Sequence, residues 1–152
     1  MTVGYGVSLT TPDDISGILV LQEPNLPGSG GSLAVRLTED WFRRAISEKS
    51  IVVGRGNRKV VGMCRELRSQ QKRMWRLSRP CCALSLLHPI VICMSVCVAG
   101  TERAKGLAGA MFKTLLKHKN GRPAMTFVKA DNEMSFRVAR QNGNGKAWHI
   151  YQ

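Results

Sequence analysis

The feature that most constrains this chain is an apolar run that passes through a glycine-containing turn into an amphipathic helix. Residues 90–98 are rich in β-branched and other apolar side chains and carry no charge, which predicts a strand buried at the centre of a sheet. Gly100 follows, and apolar residues then recur at helical spacing, namely Leu107, Met111, Leu115 and Leu116. We therefore expect a strand, turn and helix within an α/β domain.

The start of this helix has the features of an anion-binding site. The first N–H groups of a helix have no partner within it and lie at the positive end of its dipole. A phosphate group can bind there when small residues let it approach. Residues 100–109 supply those small residues, and Arg103 and Lys105 add positive charge. Helix starts in general share these features, so the pattern favours a phosphate ligand without identifying one.

A strand and two helices are predicted before residue 50. Residues 3–9 alternate weakly and predict a strand. Thr11, Pro12 and Asp14 have the types and spacing of a capping box with proline at the first helical position. A second helix is predicted to begin after Thr38, whose hydroxyl is suited to capping it. Its apolar face, which we expect to pack on the core, consists of Trp41, Phe42, Ala45 and Ile46.

A β-hairpin is predicted next. Residues 50–55 and 58–63 are rich in β-branched side chains, and Gly56-Asn57 between them is suited to a two-residue turn. Gly54-Arg55-Gly56 is similar to part of a nucleotide-binding loop, but no helical pattern follows it, so we favour the turn.

Size and charge limit the class of protein. The chain has 152 residues, of which 43% are hydrophobic, and this is typical of one folded domain over residues 1–152. Twenty-three Lys and Arg against ten Asp and Glu give a net charge of +13. Such a charge favours anionic partners, which include phosphate-bearing cofactors, nucleic acid and acidic lipid. It does not choose among them.

The N-terminus and the cysteines bear on the cellular compartment. Residues 1–14 do not resemble a secretory signal, so we expect a cytoplasmic protein. The five cysteines form an odd set with no Cys-x-x-Cys pair, which favours buried thiols in a reducing compartment. A zinc site that includes His88 is the alternative, but the paired ligand spacing is missing and we expect no metal. The cysteines are Cys64, Cys81, Cys82, Cys93 and Cys97.

Two stretches before the central strand allow alternative interpretations. Between Arg65 and Arg79, cations recur every three or four residues, which would give a helix a basic face. A solvated face is the more common meaning of that pattern, and attachment to nucleic acid or an acidic membrane is the alternative. Residues 81–100 are apolar over the length of a membrane span, but His88-Pro89 interrupts them. We therefore favour a buried strand over a membrane span.

Two motifs resemble the GNAT superfamily of acyl-CoA-dependent N-acyltransferases. Residues 103–108, Arg-Ala-Lys-Gly-Leu-Ala, are similar to the family's Arg/Gln-x-x-Gly-x-Gly/Ala loop, and they follow a strand as that loop does. Residues 122–128 are then predicted to form the next strand, and residues 132–135, Asn-Glu-Met-Ser, resemble the Asn-x-x-Ser/Ala that opens the family's following helix. The resemblance implies a mixed, mostly antiparallel central sheet flanked by helices.

The resemblance also implies a function, the transfer of an acetyl group from acetyl-CoA to a primary amine of a small molecule or protein. The backbone at Val96 and Val98 would pair with the pantetheine arm, and Asn132 would contact the cofactor from the other side. The loop amides that would hold the pyrophosphate belong to Arg103, Ala104, Lys105, Gly106, Leu107 and Ala108. A non-catalytic module that binds nucleic acid or acidic membrane through residues 65–79 is the alternative.

The sequence departs from the family where the chemistry would be completed. Acyl transfer needs a donor for the developing oxyanion and an acid for the leaving thiolate. Ala139 replaces the tyrosine that often follows the motif asparagine by seven residues, so we assign no catalytic residue. Only eight residues follow Asn144, so we expect an incomplete sheet at that end. Residues 64–92 match no part of the family pattern, which either a true basic helix or an out-of-frame stretch would explain.

Overall fold

Five strands and four helices make up the described part of the chain, in the order that the sequence predicts. The computed structural model describes residues 4–29, 33, 35–66, 92–119, 124–126 and 133–142. The elements are β1 (Gly6–Leu9), α1 (Ile15–Gln22), α2 (Glu39–Ser47), β2 (Ile51–Gly56), β3 (Lys59–Glu66), β4 (Ile92–Val98), α3 (Leu107–His118), β5 (Ala124–Thr126) and α4 (Glu133–Asn142). Short 3₁₀ turns cover Pro12–Asp14, Glu23–Asn25, Pro27–Ser29 and Gly100–Glu102.

The strands form one sheet in the order β1-β2-β3-β4-β5. Strands β1 to β4 pair antiparallel, whereas β5 runs parallel to β4, which confirms a mixed, mostly antiparallel sheet. The parallel pairing is described for Ile92–Met94, while β4 continues along β3 to Val98. The C-terminal half of β4 therefore extends beyond its described pairing with β5, at the end of the strand that leads into α3.

Helices cover both faces of the sheet. Successive side chains of a strand point to opposite faces, so each face has its own apolar cluster. The face under α1 and α2 is formed by a cluster that includes Ile15, Ile18, Leu21, Phe42, Ala45, Ile51, Val53, Met63 and Cys97. The face under α3 is formed by Val52, Cys64, Leu107, Met111, Phe112 and Leu115, with Val138 of α4 packed against them. Each fully buried large apolar side chain contributes about 1.5–3 kcal/mol, so both layers stabilise the sheet.

The predicted caps at the first two helices are confirmed. The carboxylate of Asp14 accepts a hydrogen bond from the Thr11 amide at 2.8 Å, closing the capping box around a 3₁₀ turn that continues into α1. At α2, the Thr38 hydroxyl oxygen accepts from the Trp41 amide at 3.3 Å.

The hairpin turn lies one residue later than predicted. Gly56 stays in β2 and pairs with Lys59, so the two turn residues are Asn57 and Arg58. Their φ angles are 49° and 62°, and a two-residue hairpin turn of this kind needs positive φ at both positions. The prediction that Gly56-Asn57 forms the turn is wrong, because the turn uses an arginine where a glycine is the commoner choice.

Arg65 belongs to β3 rather than to a basic helix. It pairs with Ser95 of β4, and its guanidinium carbon lies 5.1 Å from the centroid of the Trp41 ring, a cation–π contact. Only 6% of the residue is exposed, so the prediction of an exposed helix over residues 65–79 is wrong at its start. Glu66 also lies in β3, whereas residues 67–79 lie outside the described residues, as do residues 81–91 of the apolar run. Among the helices that are described, none has the length and hydropathy to span a bilayer.

Candidate functional site

Two glycines let the first turn of α3 lie close against the sheet. Gly54 of β2 and Gly62 of β3 are directly paired. A Cβ atom at Gly54 would lie 2.5 Å from Cδ1 of Leu107, and one at Gly62 would lie 2.8 Å from Cε of Met111. Because Leu107 and Met111 fill the space that these side chains would need, the position of the helix start is fixed by the sheet beneath it.

The loop between β4 and α3 passes through the left-handed region twice. Gly106, which precedes the helix as its cap residue, has a φ of 81°, and Ala104 has a φ of 63°. Glycine adopts this conformation at little cost. For Ala104 the same conformation costs about 1–3 kcal/mol, so contacts elsewhere in the loop must maintain it.

The end of the loop and the first two residues of α3, residues 103–108, form what we call the cradle. Residues 103–106 are exposed, and a Cβ atom at Gly106 would meet nothing within 4 Å. The amide of Ala110 donates to the Gly106 carbonyl at 3.1 Å, and the amides before it in the first turn have no partner within the helix. The small residues Ala104, Gly106 and Ala108 thus lie at the positive end of α3, an arrangement suited to an anionic ligand.

Charged side chains flank the cradle. The carboxylate of Glu102 accepts hydrogen bonds from the Tyr5 hydroxyl at 2.5 Å and from Nζ of Lys105 at 3.1 Å. These bonds lower the pKa of Glu102, and the bond to Glu102 raises the pKa of Tyr5. Glu102 is therefore ionised and paired at neutral pH. Its negative charge is offset by Lys105, and Arg103 remains as a net positive charge beside the cradle.

The Arg103 side chain connects the cradle to the segment after α1. Its Nη2 donates to Oδ1 of Asn25 at 2.9 Å, and its Nε donates to the Val98 carbonyl at 3.4 Å. Asn25 is only 6% exposed. No local pattern pointed to Asn25, because it lies far from Arg103 in the sequence and the two meet only through the tertiary fold.

The two strand residues of the predicted site lie in β4, and their contact with a cofactor stays a prediction. Val96 and Val98 belong to the C-terminal half of β4, where they pair with Cys64 and Gly62 of β3, and their side chains pack against the α3 cluster. The structure thus brings them next to the cradle. Asn132 lies outside the described residues, so its predicted contact with the cofactor stays a prediction.

Two of the five cysteines are shown to be buried thiols, as predicted. Cys64 and Cys97 are not in disulfides and are buried. Burial raises the pKa of both, that of Cys97 to about 12. The part of the chain that the structure describes contains no group of three or more side chains suited to hold a metal ion, and Cys81, Cys82 and His88 lie outside it.

The fold is shared with solved acetyltransferases. No protein-family model matches the sequence, and no curated protein matches it. The structure of yncA from Salmonella typhimurium with its cofactor acetyl-CoA is similar with a TM-score of 0.68 and 15% identity, over 91% of this chain and 78% of that chain. The diaminobutyrate acetyltransferase EctA from Paenibacillus lautus was solved in complex with L-2,4-diaminobutyric acid and coenzyme A. It is similar with a TM-score of 0.65 and 17% identity, over 91% of this chain and 74% of that chain.

A third similar structure carries the family name. The acetyltransferase of the GNAT family from Bacillus cereus matches with a TM-score of 0.61 and 15% identity, over 92% of this chain and 82% of that chain. At such identities the likeness concerns the arrangement of strands and helices, and this arrangement is the one implied by the two sequence motifs. The chain has the fold of the GNAT acetyltransferases.

Proposed function

We propose that this protein is an N-acetyltransferase that binds acetyl-CoA and transfers the acetyl group to a primary amine. The observation that carries the proposal is the open cradle of residues 103–108 at the start of α3. The shared fold supports it, since yncA and EctA are solved with acetyl-CoA and coenzyme A, respectively. The acceptor is an amine of a small molecule or a protein, and the proposed location is the cytoplasm.

The residues of the cradle fit a pyrophosphate group. A diphosphate needs several donors and a close approach to the backbone, and the first-turn amides and the absence of a Cβ at Gly106 provide both. The net positive charge of Arg103 adds attraction at longer range. Asn132 is proposed as a contact from the opposite side of the cofactor.

The end of β4 fits the extended arm of the cofactor. Strand β4 uses one edge to pair with β3, and its described pairing on the other edge ends at Met94. An extended pantetheine chain with amide groups would add to this edge, beyond its described pairing, like a further strand. We therefore propose the backbone at Val96 and Val98 as the pantetheine contact.

The described residues support binding and orientation rather than proton transfer. Acetyl-CoA supplies the thioester that the amine attacks, and holding both partners in place replaces an encounter in solution by a reaction within one complex. Tyr5 is engaged with Glu102, and the raised pKa of Cys97 keeps its thiol protonated at neutral pH. We therefore assign neither of them as an acid or base for the reaction.

The proposal is tested by ligand-dependent melting together with turnover. A ligand that binds only the folded state raises the melting temperature, so acetyl-CoA and CoA should stabilise the full chain at micromolar to millimolar concentration. Duplex RNA, duplex DNA and acidic lipid vesicles serve as comparison ligands. CoA release with a panel of small amines and peptides then identifies the acceptor. Stabilisation by the polyanions and none by acetyl-CoA would contradict the proposal.

A further inference from the structure

The segment that follows α1 is folded back on itself by buried amide side chains. Gln22, of which 1% is exposed, donates to the Leu37 carbonyl at 2.9 Å and accepts from the Leu37 amide at 3.0 Å. Within the segment, the Asn25 carbonyl accepts from the Leu33 amide at 2.8 Å. These contacts tie both ends of residues 22–37 together.

The side chain of Asn25 joins this segment to the cradle. Its Nδ2 donates to the Leu21 carbonyl at the end of α1, at 2.8 Å, and its Oδ1 accepts from Nη2 of Arg103 at 2.9 Å. The amide nitrogen therefore fixes the side chain to the end of α1, and the amide oxygen holds a residue of the cradle. The bond to the Leu21 carbonyl is buried, and the bond to Arg103 is partly buried. Loss of the Asn25 side chain leaves the buried Leu21 carbonyl without this donor, which is costly.

The contact is made next to the strained point of the cradle. Ala104, with its φ of 63°, lies between Arg103, which is bound to Asn25, and Lys105, which is bound to Glu102. A non-glycine residue in this conformation persists when its surroundings hold it there. The two flanking side chains are the described contacts that do so.

We propose that Asn25 is a positioning residue for the acyl-CoA site, and that it acts through Arg103 to hold residues 103–106 in the shape that presents their amides. The inference rests on the proposed function. It also connects the cradle to the turn that follows α1, Glu23–Asn25, so that cofactor binding restrains that turn. We call the hydrogen bond from Arg103 to Asn25 the tether. Arg103 thus has two roles, as the donor of the tether and as a positive charge beside the cradle.

Two variants of Asn25 distinguish loss of the hydrogen bond to Arg103 from loss of the hydrogen bond to Leu21. Asn25→Ala and Asn25→Asp both lose the donor to the Leu21 carbonyl, but only Asn25→Asp keeps an acceptor for Arg103. We expect Asn25→Ala to weaken CoA binding about tenfold in calorimetry, the effect of one lost hydrogen bond. Asn25→Asp should weaken it less, because its carboxylate still accepts from Arg103 although it offsets part of that positive charge. Equal affinities for the two variants would overturn the proposal.

A double-mutant cycle tests whether Asn25 acts through Arg103. Arg103→Ala removes the tether and the charge together, so Asn25→Ala should weaken CoA binding little further once Arg103 is gone. Lys113→Ala is the control, because Lys113 is an exposed cation of α3 that lies outside the cradle. Its effect should add to that of Asn25→Ala. If the changes in the free energy of CoA binding are additive in both double variants, Asn25 does not act through Arg103.

A readout without cofactor distinguishes failure of this inference from failure of the proposed function. The Glu102 amide donates to the Ala99 carbonyl at 2.9 Å, so its hydrogen exchange, followed by NMR, reports on the turn that leads into the cradle. We expect exchange about tenfold faster in Asn25→Ala and near normal in Asn25→Asp. If this pattern holds but CoA does not bind, the tether stands and the proposed function fails. Unchanged exchange in Asn25→Ala overturns the tether whether or not CoA binds.

Discussion

Asp14 and Arg55 form a two-point ion pair that ties the capping box before α1 to strand β2. The Arg55 Nε donates to Oδ1 of Asp14 at 2.8 Å, and Nη2 donates to Oδ2 at 2.5 Å. The Asp14 side chain is 8% exposed and that of Arg55 27%. Both carboxylate oxygens are engaged, so the pair fixes the direction in which the chain enters α1.

Asp14→Asn should lower the free energy of unfolding by about 3 kcal/mol at neutral pH, because it leaves the Arg55 charge without its partner. Burial by itself raises the pKa of Asp14, but the hydrogen bonds and charge of Arg55, with the bonds from Thr11, lower it below its ordinary value of 3.8. The stabilisation is therefore complete above that ordinary value and is lost as the pH falls through the lowered one. Urea titrations should show a difference between the two proteins that shrinks in acid. A difference that grows in acid would contradict this.

Gly54→Ala should lower stability by about 1–3 kcal/mol, the usual effect of forcing a methyl group into filled space. The new Cβ would lie 2.5 Å from Cδ1 of Leu107, so the start of α3 must move and CoA binding should weaken. Gly56→Ala is the matched control, since a Cβ there lies 3.4 Å from the nearest atom of Tyr5. Urea titration measures both. Equal stability of the two variants would show that α3 adapts freely.

Cys97 should resist alkylation in the folded protein. Burial raises its pKa to about 12, and the thiolate is the reactive species, so almost none is present between pH 7 and 9. Treatment with iodoacetamide followed by peptide mass mapping should find Cys97 unmodified natively and modified in urea. Fast native modification of a protein that still melts cooperatively would mean that the thiol is accessible.

Local patterns predicted the elements whose signals lie within a few residues. The capping pattern from Thr11 to Asp14 and the cap at Thr38 are of this kind, and both are confirmed. The glycine-containing turn into α3 was also predicted, because the strand, the turn and the helix are continuous in the sequence.

Features that depend on residues far apart in the chain could not be predicted from local sequence patterns. The charges after Arg65 recur at helical spacing, yet Arg65 lies in β3, where pairing with Ser95 and contact with Trp41 outweigh the local pattern. Asn25 looks like an ordinary loop residue, and its contact with Arg103 exists only because α1 and β4 are neighbours in the fold. Polar residues that bridge separate segments carry no local signature.

Ala139→Tyr should accelerate acetyl transfer if the protein otherwise has the geometry of its fold relatives. Ala139 lies in α4, at the position where the sequence resemblance implies a tyrosine that protonates the leaving thiolate. Without such an acid we expect turnover to be slower by about two to four powers of ten. Ala139→Phe is the control, because it adds the ring without the hydroxyl. Equal rates of CoA release for the tyrosine and phenylalanine variants would remove this explanation.

The central claim, that residues 103–108 hold the pyrophosphate of acetyl-CoA, is tested most directly by calorimetric titration of CoA into Gly106→Glu and Gly106→Lys. Both variants place a side chain at the same left-handed position, with a φ of 81°, so they share the steric and conformational penalty and differ in charge. The account predicts that Gly106→Glu loses CoA binding, by roughly a hundredfold or more, and that Gly106→Lys retains much more of it. Undiminished CoA binding by Gly106→Glu would contradict the account.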